Sequence, residues 1–512
     1  MVLSSNTSYV APPEKPFGLY LLEHIEAYGD ALALVDPKTN LEVTFEELKA
    51  QSLIFARKLR ALEIGKGDIV GLVVPFKPQF VSLVIGITLT KAAVTFCNIN
   101  HKVTEILKQL QSLEPAMCII DEETSNISVA NLEQSLPSAR KICTVKDLES
   151  SLSTDILPHI DMSFADIDLR NDPLFIYYTS GTTGEAKGVV FTNHAVVGMA
   201  ESAKNTAGSV SRSVTMTVCA QLHSLSVGVT TLHLMNGSKH IIVPSLNPQV
   251  LKQYVKKYNI NGIIITNAYC LSKIIDELDA LDRTLQFVFI TGVKFPPVLL
   301  EKARKKYGII FASLWGTTET SGVCEFAIDA PVESAGKLFR GSSLKTVDVV
   351  TGDELGANCK GELCVKSPYL FKEYVKAGSE KMKSKDEDGW FHTGDLGYYD
   401  ENGFVYVVDR IKDVIKSNCA NAIFPSELEA VLMSHPGVGD AAVTRVNHPL
   451  YLEAPKAFVV KREPNLTKVE LLEYFNEKVA KYKMLHGGLE FIDVIPRTGL
   501  GKPLKRILAQ RE

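Results

Sequence analysis

The chain has 512 residues, 46% of them hydrophobic and 22% charged, which is enough apolar material for several packed layers and more than one globular unit. Lys and Arg number 55 against 59 Asp and Glu, a formal net charge of -4 without a long basic run, so wrapping of nucleic acid or attachment to anionic lipid is not expected. The nine cysteines are scattered with no CxxC pair; they read as reduced core thiols, not as a disulfide or zinc framework.

The N-terminal MVLSSNTSYVAPPEKPF lacks a basic start followed by an apolar stretch, and its prolines make it an extended arm. The last residues, Leu508 to Glu512, are no peroxisomal address, so a cytoplasmic location is expected. Thr44 to Leu62 has helical spacing, and Asp68 to Val74 reads as a strand. Phe80 to Phe96 is interrupted by Ser82, Thr88, Thr90 and Lys91. That is too short and too mixed for the roughly 20 residues of a bilayer span, and predicts a buried helix running into a strand. Further β-branched runs follow at Ala116 to Ile120, Gly262 to Thr266, Phe287 to Thr291 and Gly308 to Phe311, with a helical stretch at Pro296 to Lys306. Strand and helix in alternation imply parallel sheets covered on both faces. From about Gly341 the texture changes to short strands and tight turns, such as Gly361 to Lys366 and the Asp400-Glu401-Asn402-Gly403 turn before Phe404 to Val408. After Asp409 comes a compact tail with a helix at Pro425 to Ser434, strands at Gly439 to Val446 and Ala457 to Val460, and a helix at Lys468 to Val479, enough for a separate unit.

Four stretches carry chemistry. In YYTSGTTGEAKG, from Tyr177 to Gly188, an apolar strand enters a loop built to hold phosphate. Gly181 and Gly184 let the backbone turn and expose N–H groups, Thr179, Ser180, Thr182 and Thr183 add hydroxyls, and Lys187 adds a charge. The spacing is not that of a Walker loop. The second, SLWGTTET from Ser313 to Thr320, follows a strand and offers the flat face of Trp315 and the hard oxygens of Glu319. Beside a phosphate loop such a carboxylate suits magnesium; elsewhere it is simply a solvated charge. The third, Gly389 to Asp395 with Asp409 to Asp413 close behind, sets Asp395 to accept ribose hydroxyls and Arg410 to fork onto them or a phosphate, or else to form an interdomain salt bridge. The fourth, PRTGLGKPLKR, holds Lys502 between Gly501 and Pro503 on a restricted loop, as positioning one charge on a reacting group requires.

In this order and spacing the four stretches resemble the adenylate-forming superfamily of acyl-CoA synthetases, peptide-synthetase adenylation domains and beetle luciferases, over nearly the whole chain. The branch of 4-coumarate-CoA ligase and luciferase looks most similar, because Thr44-Phe45-Glu46-Glu47-Leu48, Gly361-Glu362-Leu363 and His435-Pro436-Gly437-Val438 also sit at family positions. The resemblance implies an α/β fold, with a large N-terminal domain (1–408) of two layered, parallel-rich sheets and a β-rich subdomain (341–408). A hinge (409–412) and a small, mobile α+β C-terminal domain (413–512) would follow. It implies that Thr179, Ser180, Gly181, Thr182, Thr183, Gly184 and Lys187 embrace the β- and γ-phosphates, that Glu319 binds magnesium and that Thr318 touches the α-phosphate. Thr291, Gly292 and Val293 would edge the adenine, with Ser313, Leu314, Trp315 and Gly316 completing the nucleotide pocket and Trp315 at the aromatic stacking position. Asp395 and Arg410 would take the ribose. Lys412 at the hinge and Lys416 beyond it join the nucleotide set, His223 would stand between the carboxylate and nucleotide pockets, and Lys502 would contact carboxylate and α-phosphate.

The implied reaction joins a hydrophobic acid, fatty or aryl, to AMP and then to coenzyme A, with ATP and coenzyme A as co-substrates and Mg2+ as cofactor. No nucleic acid and no transmembrane segment are expected, and the oligomeric state is open. An amino-acid substrate is disfavoured because QLHSLS lacks the Asp that would pair with an α-amino group. Departures from the family pattern are Glu185-Ala186, Val293-Lys294-Phe295, Ser226 and the glycine-less KSNCANAIFP from Lys416 to Pro425, which puts Cys419 or Ala420 where backbone approaches the thiol. Delivery of the acyl group to a carrier protein or oxygen, and a nucleotide-binding pseudo-enzyme, therefore stay open beside the ligase.

Overall fold

The computed structural model describes the chain apart from residues 1, 6–8, 10, 124–125, 151–157, 161, 180–186, 205–211, 219–223, 244–247, 266–283, 292–296, 328, 376–384, 417–421, 498–501 and 512. Two seven-stranded sheets form its body among the described residues. The first runs Ile310–Leu314, Phe287–Thr291, Gly262–Ile265, Val214–Val218, Lys239–Val243, Leu32–Asp36 and Leu41–Thr44, parallel except for the last strand. The second runs Glu373–Val375, Lys187–Thr192, Pro173–Thr179, Ala93–Phe96, Ile69–Val73, Met117–Ile120 and Lys141–Thr144; only Lys187–Thr192 runs against the others. Parallel strands need covering on both faces, and the helices Phe17–Glu26, Phe45–Ala61 and Pro78–Leu89 pack together to do this. Their side chains share one core with Phe175, Phe191 and Leu234.

The stretch read as a helix running into a strand is the helix Pro78–Leu89, buried along nearly its whole length, followed by Ala93–Phe96. Thr44 starts the helix Phe45–Ala61 with a capping box, its hydroxyl accepting from the Glu47 N–H while the Glu47 carboxylate accepts from the Thr44 N–H. The strand expected at Gly308 to Phe311 lies two residues later, at Ile310–Leu314. Gly308, at φ +67°, ends the preceding helix Pro297–Tyr307 in the left-handed region and returns its N–H to the Arg304 carbonyl at 2.9 Å. Ser313 and Leu314 therefore lie inside the strand, and the turn starts at Trp315.

An antiparallel sheet of Ser343–Val347, Gly361–Lys366, Phe391–Tyr399 and Val405–Arg410 forms the expected β-rich part, with Glu354–Leu355 added beside Ser343–Val347. The N-terminal arm joins it, Leu3 and Ser4 pairing with Leu344 and Ser343. Past the single 3-10 turn Ile411–Asp413, the C-terminal unit has its own three-stranded sheet, Val438–His448, Leu452–Lys461 and Gly488–Phe491. Helices Pro425–Met433 and Lys468–Asn476 enclose a separate core of Leu428, Leu432, Val443, Val459, Leu471 and Phe475. Gly488–Phe491 is not among the expected strands, and Leu452–Lys461 begins five residues before the expected Ala457.

One glycine is fixed by close helix packing. A Cβ on Gly86 would lie 2.8 Å from Phe55 Cβ, 3.0 Å from the Ser52 carbonyl and 3.2 Å from the Ala56 nitrogen. These atoms are backbone or bonded to it and have little room to yield. In an exposed helix Gly→Ala gains about 1 kcal/mol; Gly86→Ala is expected to lose about 1–3 kcal/mol through overpacking. Thermal or urea unfolding checks this, and an unchanged or raised midpoint would contradict the packing argument.

Candidate active site

The two strands Pro173–Thr179 and Lys187–Thr192 pair so that Thr179 faces Lys187 across the mouth of a hairpin. Ser180, Gly181, Thr182, Thr183 and Gly184 lie outside the described residues, as do His223, Gly292 and Val293. The residues flanking that hairpin stretch are described: Lys187 Nζ sits 5.3 Å from the centre of the Tyr374 ring, and Thr179 ends a central strand of the second sheet. Carboxyl ends of such strands are where ligands bind in open α/β sheets. In the first sheet Thr291 and Leu314 end neighbouring strands and are paired with each other, and Ser313 is paired with Ile290. The side chains of Thr291, Ser313 and Lys416 are outside the description; Leu314 packs against the cluster of Val229, Ile264, Phe287 and Phe289.

The turn after Leu314 is tied tightly. The Thr317 N–H donates to Thr320 Oγ1 at 2.8 Å, and Val323 returns to the Trp315 carbonyl at 3.0 Å. Gly316 is required here, because a Cβ would stand 2.8 Å from the Gly322 Cα. Glu319 is held from the second sheet: Phe371 N–H donates to its carbonyl at 2.9 Å and the Tyr374 hydroxyl to Oε1 at 3.0 Å. Thr318 beside it is partly exposed. Buried Thr317 Oγ1 has no hydrogen-bond partner among the described residues.

Trp315 is not displayed as an open stacking platform. It is buried in the core, and its indole N–H donates to Asp395 Oδ2 at 2.9 Å. The other oxygen of Asp395 takes Arg410 Nε at 2.6 Å. Asp395 and Arg410 are directly opposed in the antiparallel pair Phe391–Tyr399 and Val405–Arg410, so the sheet register brings about this contact. Burial pushes the Asp395 carboxyl above the usual range, while Arg410, the Trp315 N–H and Lys502 pull it back and Glu319 adds to the rise.

Lys502 comes from the C-terminal unit. Its loop is closed by an antiparallel bridge between Arg497 and Pro503 and by Leu504 N–H donating to the Pro496 carbonyl at 2.8 Å. Arg497 is anchored in turn, one terminal nitrogen reaching both Asp440 oxygens at 2.7 and 2.8 Å. Lys502 is an exposed residue whose ammonium lies within electrostatic reach of Arg410, Lys412, Asp395 and Glu319. Loss of hydration, then Arg410 and Lys412, draw it below the ordinary lysine value against the pull of Asp395 and Glu319. Lys412, on the 3-10 turn, is lowered chiefly by burial and also by Arg410 and Lys505, against Asp413 and Asp395. Thus Glu319, Asp395, Arg410, Lys412 and Lys502, scattered over three stretches of sequence, act on one another electrostatically in one cleft. Sequence reading missed Tyr374 and the Arg497–Asp440 clamp, because their partners lie 55 and 57 residues away and no local pattern marks them.

A small C-terminal unit whose Lys502 interacts electrostatically with Glu319, Asp395 and Arg410 of a large α/β body matches the arrangement that the adenylate-forming resemblance implies. The AMP-binding enzyme family model matches residues 21–375, and the AMP-binding enzyme C-terminal domain model matches residues 427–502. The chain is 31% identical to probable 4-coumarate-CoA ligase 2 of Dictyostelium discoideum, covering 97% of this chain and 95% of that protein. Its fold superposes on o-succinylbenzoate CoA synthetase of Bacillus subtilis in complex with an acyl-adenylate intermediate, with TM-score 0.83, 25% identity and coverage of 97% and 99%. The same enzyme solved with ATP and magnesium ion gives TM-score 0.82 at 24% identity, covering 95% and 98%. This chain belongs to the AMP-binding enzyme family.

Because Lys412 lowers the Lys502 pKa, removing its charge should raise it. In Lys412→Gln the alkaline fall of acid-dependent pyrophosphate release is therefore expected at higher pH than in the wild type. A limb that stays put or moves down would show that the two charges do not meet in the working enzyme.

Proposed function

We propose that the protein activates a hydrophobic carboxylic acid, fatty or aryl, as acyl-AMP with release of pyrophosphate, and then transfers the acyl group to the thiol of coenzyme A. The observation that carries this reading is the presence of Lys502 in the cleft of Glu319, Asp395 and Arg410. Adenylation brings a carboxylate onto an α-phosphorus already surrounded by negative oxygens. Two unit charges at 4 Å interact by about 4 kcal/mol at an effective dielectric of 20, so a fixed ammonium between them offsets a large part of that repulsion.

In this reading the hairpin from Thr179 to Lys187 holds the outer phosphates and Arg410 and Asp395 hold the ribose. Thr318 and Lys502 face the α-phosphate, and His223 borders the acid. Glu319 fits a magnesium ion: it is a hard oxygen ligand, and among the described residues only Oε1 is engaged, by Tyr374. Magnesium bound there would screen the triphosphate charge and favour departure of pyrophosphate. Positioning supplies much of the remaining acceleration, as in phosphoryl transfer generally. The residues 1–408 would form the body, 409–412 the pivot and 413–512 the lysine-bearing unit, which would turn to admit the thiol after adenylation.

Cys97, Cys118, Cys143, Cys324, Cys359 and Cys364 are free thiols, which supports a reducing, cytoplasmic setting. No helix among the described residues is long and apolar enough to cross a membrane.

The test is pyrophosphate release by purified protein across fatty, aryl and amino acids, with and without coenzyme A. Release with fatty or aryl acids, and thioester when coenzyme A is added, is the expected result. Lys502→Ala should slow adenylation about 10²-fold or more, by analogy with loss of one preorganised donor; a rate within about threefold of wild type refutes that role. Acid-dependent release without thioester would favour a carrier or oxygen as acceptor.

A further inference from the structure

The strand Glu373–Val375 joins the two loops that the proposed function assigns to triphosphate and metal. Glu373, Tyr374 and Val375 pair with Val190, Val189 and Gly188 of the strand that begins at Lys187. Just before it, Lys372 N–H donates to the Val190 carbonyl at 2.7 Å, while Phe371 N–H donates to the Glu319 carbonyl at 2.9 Å. Successive residues of one short segment are thus fastened alternately to the phosphate hairpin and to the turn that carries Glu319.

Tyr374 repeats that link with its side chain. Its hydroxyl donates to Glu319 Oε1 at 3.0 Å, and its ring lies under Lys187 Nζ at 5.3 Å. Phe371, itself fully buried, packs on the ring at a centroid distance of 4.6 Å and holds its plane. A glutamate carboxylate on three rotatable bonds has no fixed direction of its own; a phenol donating to one oxygen restricts its orientation and leaves the second oxygen available. A cation over an aromatic face is likewise held within a narrow range.

We infer that Tyr374 is a positioning residue that sets Glu319 for the divalent cation and Lys187 for the triphosphate, so that metal and phosphate are received in register. The inference rests on the reading of Glu319 as the magnesium ligand. Partners of a metal ligand commonly govern 10–100-fold in metal affinity, although they never touch the ion.

The two functions of the side chain can be separated. Tyr374→Phe removes the hydroxyl and keeps the ring under Lys187; Tyr374→Leu removes both. Binding of Mn2+ in the presence of a non-hydrolysable ATP analogue, followed by electron paramagnetic resonance, reads the metal directly, and ATP KM and kcat are measured on the same proteins. The expected result for Tyr374→Phe is metal affinity weakened about tenfold or more, with a smaller fall in kcat at saturating metal and little change in ATP KM. Tyr374→Leu should add a raised ATP KM. Mn2+ binding by Tyr374→Phe equal to wild type, alongside weakened binding by Glu319→Gln, overturns the inference and leaves Glu319 as ligand. Unweakened binding by Glu319→Gln overturns the underlying reading instead. Equal losses of kcat, KM and metal affinity in Tyr374→Phe, with a lowered unfolding midpoint, would mark a merely structural role and also overturn the inference.

Discussion

The buried carboxylate of Asp395 is the contact on which the cleft depends. It is nearly inaccessible to water, and a lone ionised carboxylate so placed would be strongly disfavoured. Two donors make it tenable, Arg410 Nε on one oxygen and Trp315 Nε1 on the other. These donors come from different places: Arg410 ends the strand paired with that of Asp395, while Trp315 opens the turn at the carboxyl end of the first large sheet. One ion pair and one indole N–H therefore lock the β-rich sheet to the sheet that presents Glu319. Removing either donor would leave a buried charge under-satisfied, which costs more than the pair itself contributes.

The C-terminal unit joins this arrangement through the residues just past Arg410. Asp409 accepts from the Arg410 N–H and, at 3.0 Å, from the Ser426 N–H, while the Ser426 hydroxyl donates to the Val408 carbonyl at 2.7 Å. Strand end and helix start are thereby tied across the intervening turn. Phe424 packs against Leu396, Val408 and Val414, and Glu427 pairs with both Lys360 and Lys483. With the unit so seated, Lys502 is brought toward Arg410 and Lys412, like charges that repel it. An arrangement of that kind becomes more favourable when anions enter, which is the condition the proposed function supplies.

Local chemistry was legible in the sequence and long-range pairing was not. The run of hydroxyls and glycines before Lys187 stands out within a dozen residues, and the helical spacing from Thr44 to Leu62 is met by the helix Phe45–Ala61. The apolar stretch after Phe80 also revealed its helix and strand, because composition alone excludes a membrane span. By contrast, Asp395 and Arg410 could be read equally as ribose ligands or as a salt bridge, and nothing local to either residue decides between them. The bridge is made, and it holds the carboxylate in place. Trp315 invited a stacking role because an indole is flat, yet its N–H is what the fold uses; only the position of Asp395, 80 residues on, decides that. Gly488–Phe491 escaped notice because its pairing is with a strand thirty-odd residues earlier and its sequence, GLEF, carries too little alternation to stand alone.

These carboxylates can both build the site and serve it because of how many bonds each can accept. An ionised carboxylate offers about four lone-pair positions. Asp395 gives one to Arg410 and one to Trp315, and Glu319 gives one to Tyr374. The bonds already made fix each group's plane, and the acceptor positions that remain are directed by that plane without further ordering. Under the proposed function, a ligand hydroxyl at Asp395 or a hard cation at Glu319 would meet an oxygen whose direction is set by those bonds. The entropy of fixing the side chain has been spent before the ligand arrives, and binding keeps the free energy that a loose carboxylate would lose.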